Sequence, residues 1–252
     1  MALVYFIGAG PGDPDLLTKK AIDVLSRAKV VIWAGSLINP EVIEYAPADA
    51  EVYDSAGLTL EEITGIMERA VGEGKVVARL HSGDPSLYGA LGEQAAVLEQ
   101  KGIPYEVIPG VSSFLAAAAQ IKREYTVPDA CQTVIITRLE GRTPVPSKEK
   151  LADLARHRAS MCIFLSVHLI DEVVKELLEG YPPATPAAVV EKASWPEGRA
   201  VFGTLENIAS LVKAEGIEKT ALILVGDFLT ARGARSRLYA PGFSHGHRRG
   251  EE

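Results

Sequence analysis

The sequence has little cysteine, no long apolar run and no excess of basic residues. Cys131 and Cys162 are the only cysteines in 252 residues, and their spacing fits neither a disulfide framework nor a zinc motif. Reduced thiols in a cytoplasmic protein are therefore expected. No hydrophobic stretch approaches the roughly 18 to 20 residues that span a membrane. The N-terminus, MALVYFIGAG, lacks the basic start of a signal peptide.

The charge balance and the absent motifs exclude further classes of protein. A formal net charge of −7 argues against a general nucleic-acid binder. It still allows an anionic small molecule, because a few arginines can face a carboxylate inside an acidic protein. The sequence contains no G-x-S-x-G, no H-E-x-x-H and no clustered metal ligands. No metal site is therefore predicted.

Short apolar runs alternate with amphipathic stretches, which indicates an α/β fold with mainly parallel or mixed sheets. Predicted strands cover residues 4–7, 30–33, 76–80, 105–108, 133–137, 161–165, 187–191, 200–204 and 221–225. Predicted helices include one capped by Asp13 or Asp15 and ending near Arg27, one starting at Asn39-Pro40, and further ones over 63–71, 113–120, 148–156, 169–178 and 205–214. Thr59-x-x-Glu62 is a capping box before the helix over 63–71. A helix ending near Gln100 is expected to follow the turn SGDP directly.

The pattern restarts after a polar stretch that contains Pro128, which predicts two domains. The expected division is an N-terminal α/β domain over 1–120, a linker over 121–131, a C-terminal α/β domain over 132–231 and a tail over 232–252.

The loop GAGPGDPDLLT follows the first predicted strand and invites comparison with nucleotide-binding loops. The fingerprint G-x-G-x-x-G fails, because Asp13 stands where its third glycine belongs. No G-K-[ST] follows, so the loop is not a P-loop. Asp13 and Asp15 would also repel a pyrophosphate at the helix start. Two more turns, SGDP and PGVSS, follow strands in the same way, and ligands bind at the carboxyl ends of parallel strands. The three turns predict one shared site.

At these residues the sequence resembles the tetrapyrrole (corrin and porphyrin) methylases, over about residues 3–248. The resemblance is carried by the order and spacing of GAGPGDPDLLT, GDPSLYG, PGVSSFLAAAA, VVEKASWP and TALILVG. The segments AGSLI, TVIITRLEGRTPVP and LYAPGFSHGHR resemble the branch that methylates carbon 11 of precorrin-4 or cobalt-precorrin-4 in cobalamin biosynthesis. Uroporphyrinogen methyltransferases more typically carry an arginine-glycine pair where this chain has Ala90-Leu91.

The resemblance implies a tetrapyrrole methylase fold of two α/β domains, with S-adenosylmethionine bound in a cleft between them and S-adenosylhomocysteine as product. It also implies a homodimer and a tetrapyrrole substrate. Ser82 stands where many relatives have glycine, so the fit there is expected to differ. The positions carried over as cofactor contacts are Pro11, Ser82, Gly83, Asp84, Leu87, Ser112, Ser113, Leu165, Ala193, Ala221 and Leu222.

Methyl transfer from a sulfonium to an electron-rich ring carbon needs alignment rather than a protein nucleophile. No catalytic base stands out, and the weak candidates are Asp84, His81, Glu93 and Glu140. Arginine fits a carboxylate bidentately. The arginines available for substrate carboxylates are Arg79, Arg123, Arg138 and Arg142, of which Arg138 and Arg142 are favoured. His245 and His247 are interpreted as tail residues.

Several alternatives stay open at the level of the sequence. The chain could methylate uroporphyrinogen or a different precorrin position. A relative that methylates ribosomal RNA or a modified histidine is disfavoured by the acidic charge balance. A nicotinamide-dependent oxidoreductase is disfavoured by the broken fingerprint, and a non-catalytic binding module would not need so many Gly/Pro turns at strand ends. Whether the ring already holds cobalt is left open.

Overall fold

The computed structural model describes residues 3–231, 236 and 240–249, and the chain divides into two compact units. The first unit comprises Met1–Ala117 and Lys192–Gly198, and the second comprises Ala118–Glu191 and Arg199–Glu252. The return of Lys192–Gly198 to the first unit has no counterpart in the predicted domain boundaries. In the predicted tail, residues 232–235, 237–239 and 250–252 lie outside the described residues.

The first unit is built on a five-stranded parallel sheet. Its strands are β1 (Val4–Gly8), β2 (Val30–Trp33), β3 (Glu51–Asp54), β4 (Val77–His81) and β5 (Tyr105–Ile108), in the spatial order β3-β2-β4-β1-β5. Its helices are α1 (Lys19–Leu25), α2 (Leu60–Gly72), α3 (Leu91–Gln100) and α4 (Ser113–Gln120), with short 3-10 helices at Pro14–Leu16, Pro40–Tyr45 and Ser55–Gly57. The three strands that carry the predicted ligand loops, β4, β1 and β5, are neighbours.

Strand residues alternate between two apolar layers of the first unit. Ile7 and Leu80 pack into the layer that holds α1 residues such as Val24. Phe6 and Ile32 pack into the opposite layer, with residues of α2 and α3. Because both faces are covered, these strands are nearly continuous apolar runs, as in other buried parallel sheets.

Local capping explains where the helices begin. The predicted capping box is confirmed: Thr59 Oγ1 accepts from the Glu62 N–H, the Glu62 carboxylate accepts from the Thr59 N–H, and α2 starts at once at Leu60. The first helix was predicted wrongly as one piece. Asp13 caps only the 3-10 helix Pro14–Leu16, and α1 begins after Thr18, whose hydroxyl accepts from Ala21 N.

Several other predicted elements also differ from the structure. The segment after Asn39 is a 3-10 helix rather than an α-helix, and residues 84–90 form an irregular loop before α3. The predicted helix over 148–156 is a 3-10 helix, Ser147–Glu149, followed by α5 (Leu151–Ala155). The edge strand β3 was missed, because three of its four residues are exposed and it has no apolar run.

The second unit carries a mixed sheet. Its strands are β6 (Val134–Arg138), β7 (Ser160–Phe164), β8 (Pro186–Glu191), β9 (Arg199–Thr204) and β10 (Ala221–Val225), in the order β6-β7-β10-β8-β9. Besides α5 its helices are α6 (Ile170–Leu177) and α7 (Ile208–Ala214), with 3-10 helices at Val167–Leu169 and Asp227–Leu229. Only β6 and β7 pair in parallel; the other three pairs are antiparallel. The prediction of mainly parallel or mixed sheets is confirmed, with one sheet of each kind.

Candidate functional site

The three Gly/Pro turns of the first unit meet, as predicted, at the carboxyl ends of β4, β1 and β5. Ala9 N donates to His81 O at 2.8 Å, and Gly83 N donates to Gly10 O at 2.7 Å. A Cβ added at Gly8 would lie 2.5 Å from Gly110 Cα, and one added at Gly110 would overlap Gly83 O. The backbones of the three loops therefore pack with no room for side chains between them.

Asp84 fastens the second loop to the third. One carboxylate oxygen accepts from Gly110 N and the other from Ser86 N, each at 2.8 Å. Burial by itself would raise the pKa of this carboxyl, but the two N–H donors outweigh it and the pKa is lowered. Asp84 is thus an ionised carboxylate that braces the loops, and it holds no proton to give at neutral pH.

The first loop is held by three side chains that were not predicted to belong to the site. Trp195 Nε1 donates to Pro11 O at 2.9 Å, Ser194 Oγ accepts from Asp13 N at 3.0 Å, and Asn39 Nδ2 donates to Gly12 O at 2.9 Å. Two of them, Ser194 and Trp195, lie in the motif VVEKASWP next to the predicted contact Ala193, and Asn39 was predicted only as a helix start. Pro11, itself a predicted contact, is buried, and its carbonyl accepts from Trp195.

Gly12 shows how closely this contact is fitted. Its φ is +152°, and an added Cβ would overlap the indole ring of Trp195. Both the backbone conformation and the space therefore require glycine at this position.

An acidic depression lies beside the first loop. Its volume is about 440 Å³, and its lining residues are Asp13, Pro14, Asp15, Glu41, Glu44 and Tyr45. Four carboxylates there repel anions, which agrees with the expectation that this turn does not hold a pyrophosphate.

The second loop, residues 82–90, is strained. Tyr88 and Ala90 are both left-handed, with φ of +55° and +49°, a conformation that costs a non-glycine residue about 1–2 kcal/mol. Ser82 is exposed, Gly83 is buried and Leu87 is half-buried. Backbone strain of this kind is characteristic of functional loops.

His81, one of the weak base candidates, is a buried neutral imidazole. It is 5 % exposed, and its Nε2 has no hydrogen-bond partner among the described residues. Burial, reinforced by the charge of Arg79, lowers its pKa to about 4. The other candidates, Glu93 and Glu140, are both exposed, on α3 and in the loop after β6 respectively.

The third loop leads into α4. Ser112 is 5 % exposed, and its carbonyl accepts from Leu115 N and Ala116 N, so it starts the helix. Its Cα also lies 3.4 Å from the position of a Cβ at Gly83. Ser113 is half-buried at the first turn of α4.

In the second unit, strand direction brings several predicted contacts to one edge of the sheet. Arg138 pairs with Phe164, so β6 and β7 end together, and Leu165 follows at once. Ala221, the first residue of β10, pairs with Glu191, the last of β8. Ala193 follows β8 and is counted with the first unit.

The predicted contacts of this edge differ in exposure. Leu222 is buried, at 4 %, whereas Leu165 is 63 % exposed and left-handed, with φ of +54°. An exposed leucine in a strained conformation is not a core residue, so Leu165 keeps the features expected of a ligand contact.

The four candidate arginines occupy different settings. Arg138 donates to Thr143 O at 3.1 Å and Pro144 O at 2.7 Å, so its guanidinium holds its own loop. Arg142 is exposed in that loop. Arg123 donates to Leu229 O at 2.7 Å, and Arg79 is buried.

His245 and His247 lie in a short turn closed by paired backbone bonds between His245 and Arg248. Among the residues described, no group of three or more His, Cys, Asp or Glu side chains is arranged to hold a metal ion. Across the same residues, no helix is long and apolar enough to cross a membrane.

Comparison with known proteins relates this geometry to chemistry. A family model described as Tetrapyrrole (Corrin/Porphyrin) Methylases matches residues 3–209. A cobalt-precorrin-4 C(11)-methyltransferase of Methanocaldococcus jannaschii is 54% identical over 98% of this chain and 96% of its own length. A precorrin-4 C(11)-methyltransferase of Pseudomonas aeruginosa is 47% identical over 98% of this chain and 99% of its own length.

Solved structures agree with the relatives. The structure of a cobalt precorrin-4 methyltransferase superimposes with a TM-score of 0.88 at 46% identity, covering 90% of this chain and 96% of the other. A uroporphyrin-III C-methyltransferase from Thermus thermophilus, complexed with S-adenosylhomocysteine, gives a TM-score of 0.77 at 33% identity, covering 90% and 99%.

Proposed function

Because the chain belongs to the tetrapyrrole (corrin/porphyrin) methylases, we propose that it transfers a methyl group from S-adenosylmethionine to carbon 11 of precorrin-4 or cobalt-precorrin-4 in cobalamin biosynthesis. The observation that carries the proposal is the near-complete match to enzymes of that name, at 54% and 47% identity. The uroporphyrin methyltransferase structure is less similar, at 33% identity. One of the two relatives is named for the cobalt form and the other is not, so both substrates belong to the proposal.

The loops of the first unit fit S-adenosylmethionine better than a phosphorylated cofactor. Glycine backbones at Gly83 and Gly110 pack closely, and the turn beside Pro11 is acidic rather than basic. An acidic surrounding suits a sulfonium cation and disfavours a pyrophosphate. The proposed cofactor contacts are Pro11, Ser82, Gly83, Asp84, Leu87, Ser112, Ser113, Leu165, Ala193, Ala221 and Leu222.

When bound, S-adenosylmethionine supplies an activated methyl group on sulfur. That methyl group would pass to carbon 11 of the macrocycle, S-adenosylhomocysteine would leave as product, and the ring would lose a proton. The part of the protein is to hold the cofactor and the ring in the alignment that direct methyl transfer requires.

The side chains near the loops are suited to holding the loops and the substrate rather than to transferring protons. Asp84 is ionised and occupied by two backbone donors, and His81 is neutral and buried, so both act as structure rather than as acids. Arg142 is exposed, so its guanidinium can pair with a substrate carboxylate. Arg138 instead holds the loop that carries Arg142.

The test is turnover with C-11-unmethylated corrin intermediates, with and without cobalt, followed by mass spectrometry. We expect one added methyl group on at least one of them and release of S-adenosylhomocysteine. Arg142→Ala should raise KM for the tetrapyrrole several-fold and leave KM for S-adenosylmethionine unchanged; Arg156→Ala, a change of an exposed arginine on the end of α5, is the matched control. Absence of methylation on every intermediate would refute the proposed activity.

The proposal includes a cytoplasmic homodimer. The dimer follows from the family resemblance, and the free thiols of Cys131 and Cys162 suit a reducing compartment. Sedimentation equilibrium of the full chain tests the dimer, and a monomer at micromolar concentration would remove that part.

A further inference from the structure

Arg79 is a buried cation without an anion beside it. Its side chain is 7 % exposed, and among the ion pairs of the described residues none involves it. Burial lowers its pKa to about 10. A buried charge is costly unless it is well hydrogen-bonded. The role of Arg79 therefore depends on the groups that its guanidinium contacts.

One partner of Arg79 is Gln94 on α3. Arg79 Nε donates to Gln94 Oε1 at 3.1 Å, and Gln94 Nε2 donates to Ala90 O at 3.0 Å. Gln94 is itself 3 % exposed, so its bond with Arg79 is buried, and its bond with Ala90 O is partly buried. Ala90 is the left-handed residue that joins the second loop to α3, and no side chain caps the helix there. A continuous line of bonds thus runs from the sheet to the end of the loop.

A second partner ties Arg79 to the neighbouring strand ends. Arg79 Nη1 donates to Ser55 Oγ at 2.9 Å, and Ser55 Oγ donates to Trp33 O at 2.9 Å. Trp33 ends β2 and Ser55 follows β3. Arg79 therefore links the carboxyl ends of three adjacent strands.

His81 completes the support of the loop. It lies on the same face of β4 as Arg79, and its ring is hydrogen-bonded to the backbone of Gly89. A Cβ at Gly89 would overlap Pro85 O, so the loop folds back tightly on itself at that point. Asp84 holds the start of the loop to Gly110, while His81 and Gln94 hold its end.

We propose that Arg79 and Gln94 are positioning residues that set the end of the cofactor loop, residues 82–90, in its strained conformation. The inference rests on the proposed function, because it assumes that this loop contacts S-adenosylmethionine. Two left-handed residues within three positions relax unless their surroundings fix them. The line from Arg79 through Gln94 to Ala90 O is one of the contacts that fix the end of the loop.

The discriminating variant is Gln94→Glu. The carboxylate still accepts from Arg79, so the buried cation gains an anion, but the donor to Ala90 O is lost. The matched control is Gln100→Glu, the same change at an exposed position on the same helix. We expect S-adenosylhomocysteine to bind about tenfold more weakly to Gln94→Glu, about 1.4 kcal/mol, and unchanged to Gln100→Glu, by calorimetry on the full chain without tetrapyrrole.

Steady-state kinetics separate positioning from general damage. KM for S-adenosylmethionine should rise in Gln94→Glu while KM for the tetrapyrrole stays within twofold, a split that loss of folded protein does not produce. Arg79→Met should show a larger defect, and Arg79→Lys should recover part of it. In Arg79→Met the NMR-measured pKa of His81 should also rise, because a nearby positive charge is gone.

Ser55→Ala removes one hydrogen bond of Arg79 at a half-buried site and keeps the test available if Gln94→Glu does not fold. We expect it to weaken S-adenosylhomocysteine binding about threefold. Wild-type affinity in whichever of these two variants folds overturns the positioning role. Failure of the unmodified chain to bind S-adenosylhomocysteine is a different result, which removes the proposed function itself.

Discussion

The carboxyl-end loops of the first sheet and the loops at the corresponding edge of the second sheet are held in different ways. In the first sheet, backbone packs on backbone at Gly83 and Gly110, and the half-buried carboxylate of Asp84 bridges two of the loops. In the second, Arg138 holds its own loop through carbonyls five and six residues away, and Leu165 stands exposed beside it. The first edge depends mainly on close packing of backbone against backbone, and the second depends on side-chain contacts. Substitutions should therefore damage the first edge through folding and the second through binding.

The largest effect is expected from Gly110→Ala. The new Cβ would overlap Gly83 O, and rigid backbone on both sides leaves no way to relieve the clash. We expect a loss of about 3 kcal/mol in the free energy of unfolding and loss of S-adenosylhomocysteine binding, measured by urea denaturation and calorimetry.

Gly65→Ala is the matched control for Gly110→Ala. Gly65 lies inside α2 with nothing within 4 Å of an added Cβ. Alanine there should stabilise the protein by about 0.5–1 kcal/mol. Equal effects of the two substitutions would contradict the view that close backbone packing defines the first edge.

An intermediate effect is expected from His81→Gln, and it depends on pH. Burial and the charge of Arg79 lower the folded pKa of His81 from 6.5 to about 4. The unfolded chain binds a proton at His81 below pH 6.5 while the folded chain does not, so this part of the stability is present above pH 6.5 and is lost as the pH falls to about 4.

Denaturant unfolding of the wild type and of His81→Gln at pH 7 and pH 4.5 measures the contribution of His81 to the free energy of unfolding. The wild type should lose about 2.5 kcal/mol more than His81→Gln between these two values. His168→Gln, at an exposed histidine, should behave like the wild type. Parallel pH curves for wild type and His81→Gln would show that the imidazole is not held neutral.

The smallest stability effect is expected at the second edge, from Leu165→Gly. Glycine relieves the left-handed conformation, so the free energy of unfolding should rise by at most about 1 kcal/mol. Removal of an exposed leucine that a ligand would cover should weaken S-adenosylhomocysteine binding about tenfold.

Lys122→Gly provides the comparison for Leu165→Gly, since Lys122 is also exposed and left-handed, with φ of +55°. It should match the gain in stability and leave binding unchanged. If Leu165→Gly binds as tightly as Lys122→Gly, Leu165 is not a ligand contact.

The sequence predicted the first edge better than the second because its signals are local. Each Gly/Pro turn follows an apolar run, and parallel pairing of β4, β1 and β5 then brings the turns together. Apolar runs indicate where the strands of the second sheet lie, but not the direction in which they pair. The mixture of parallel and antiparallel pairs could therefore not be predicted from them.

The residues that hold the site were harder to find from sequence than the loops themselves. Trp195 and Pro11 are 184 positions apart, and nothing in either segment signals their contact. Arg79 was noted only as an arginine available for a substrate carboxylate, although it is a lone cation in the apolar run VVARLH. Hydrogen bonds between distant segments depend on the finished fold, which periodicity does not report.

The seating of Trp195 and Ser194 on the first loop has a consequence for the order in which the protein is completed during synthesis. Asn39 is available to the loop almost as soon as the loop leaves the ribosome, but Ser194 is 181 residues further along the chain than its partner Asp13. Contacts of such long separation form late. The first loop is therefore synthesised early, but its contacts with Ser194 and Trp195 form late. A nascent or truncated chain that stops at residue 117 contains Gly12 without the Trp195 indole that packs against it.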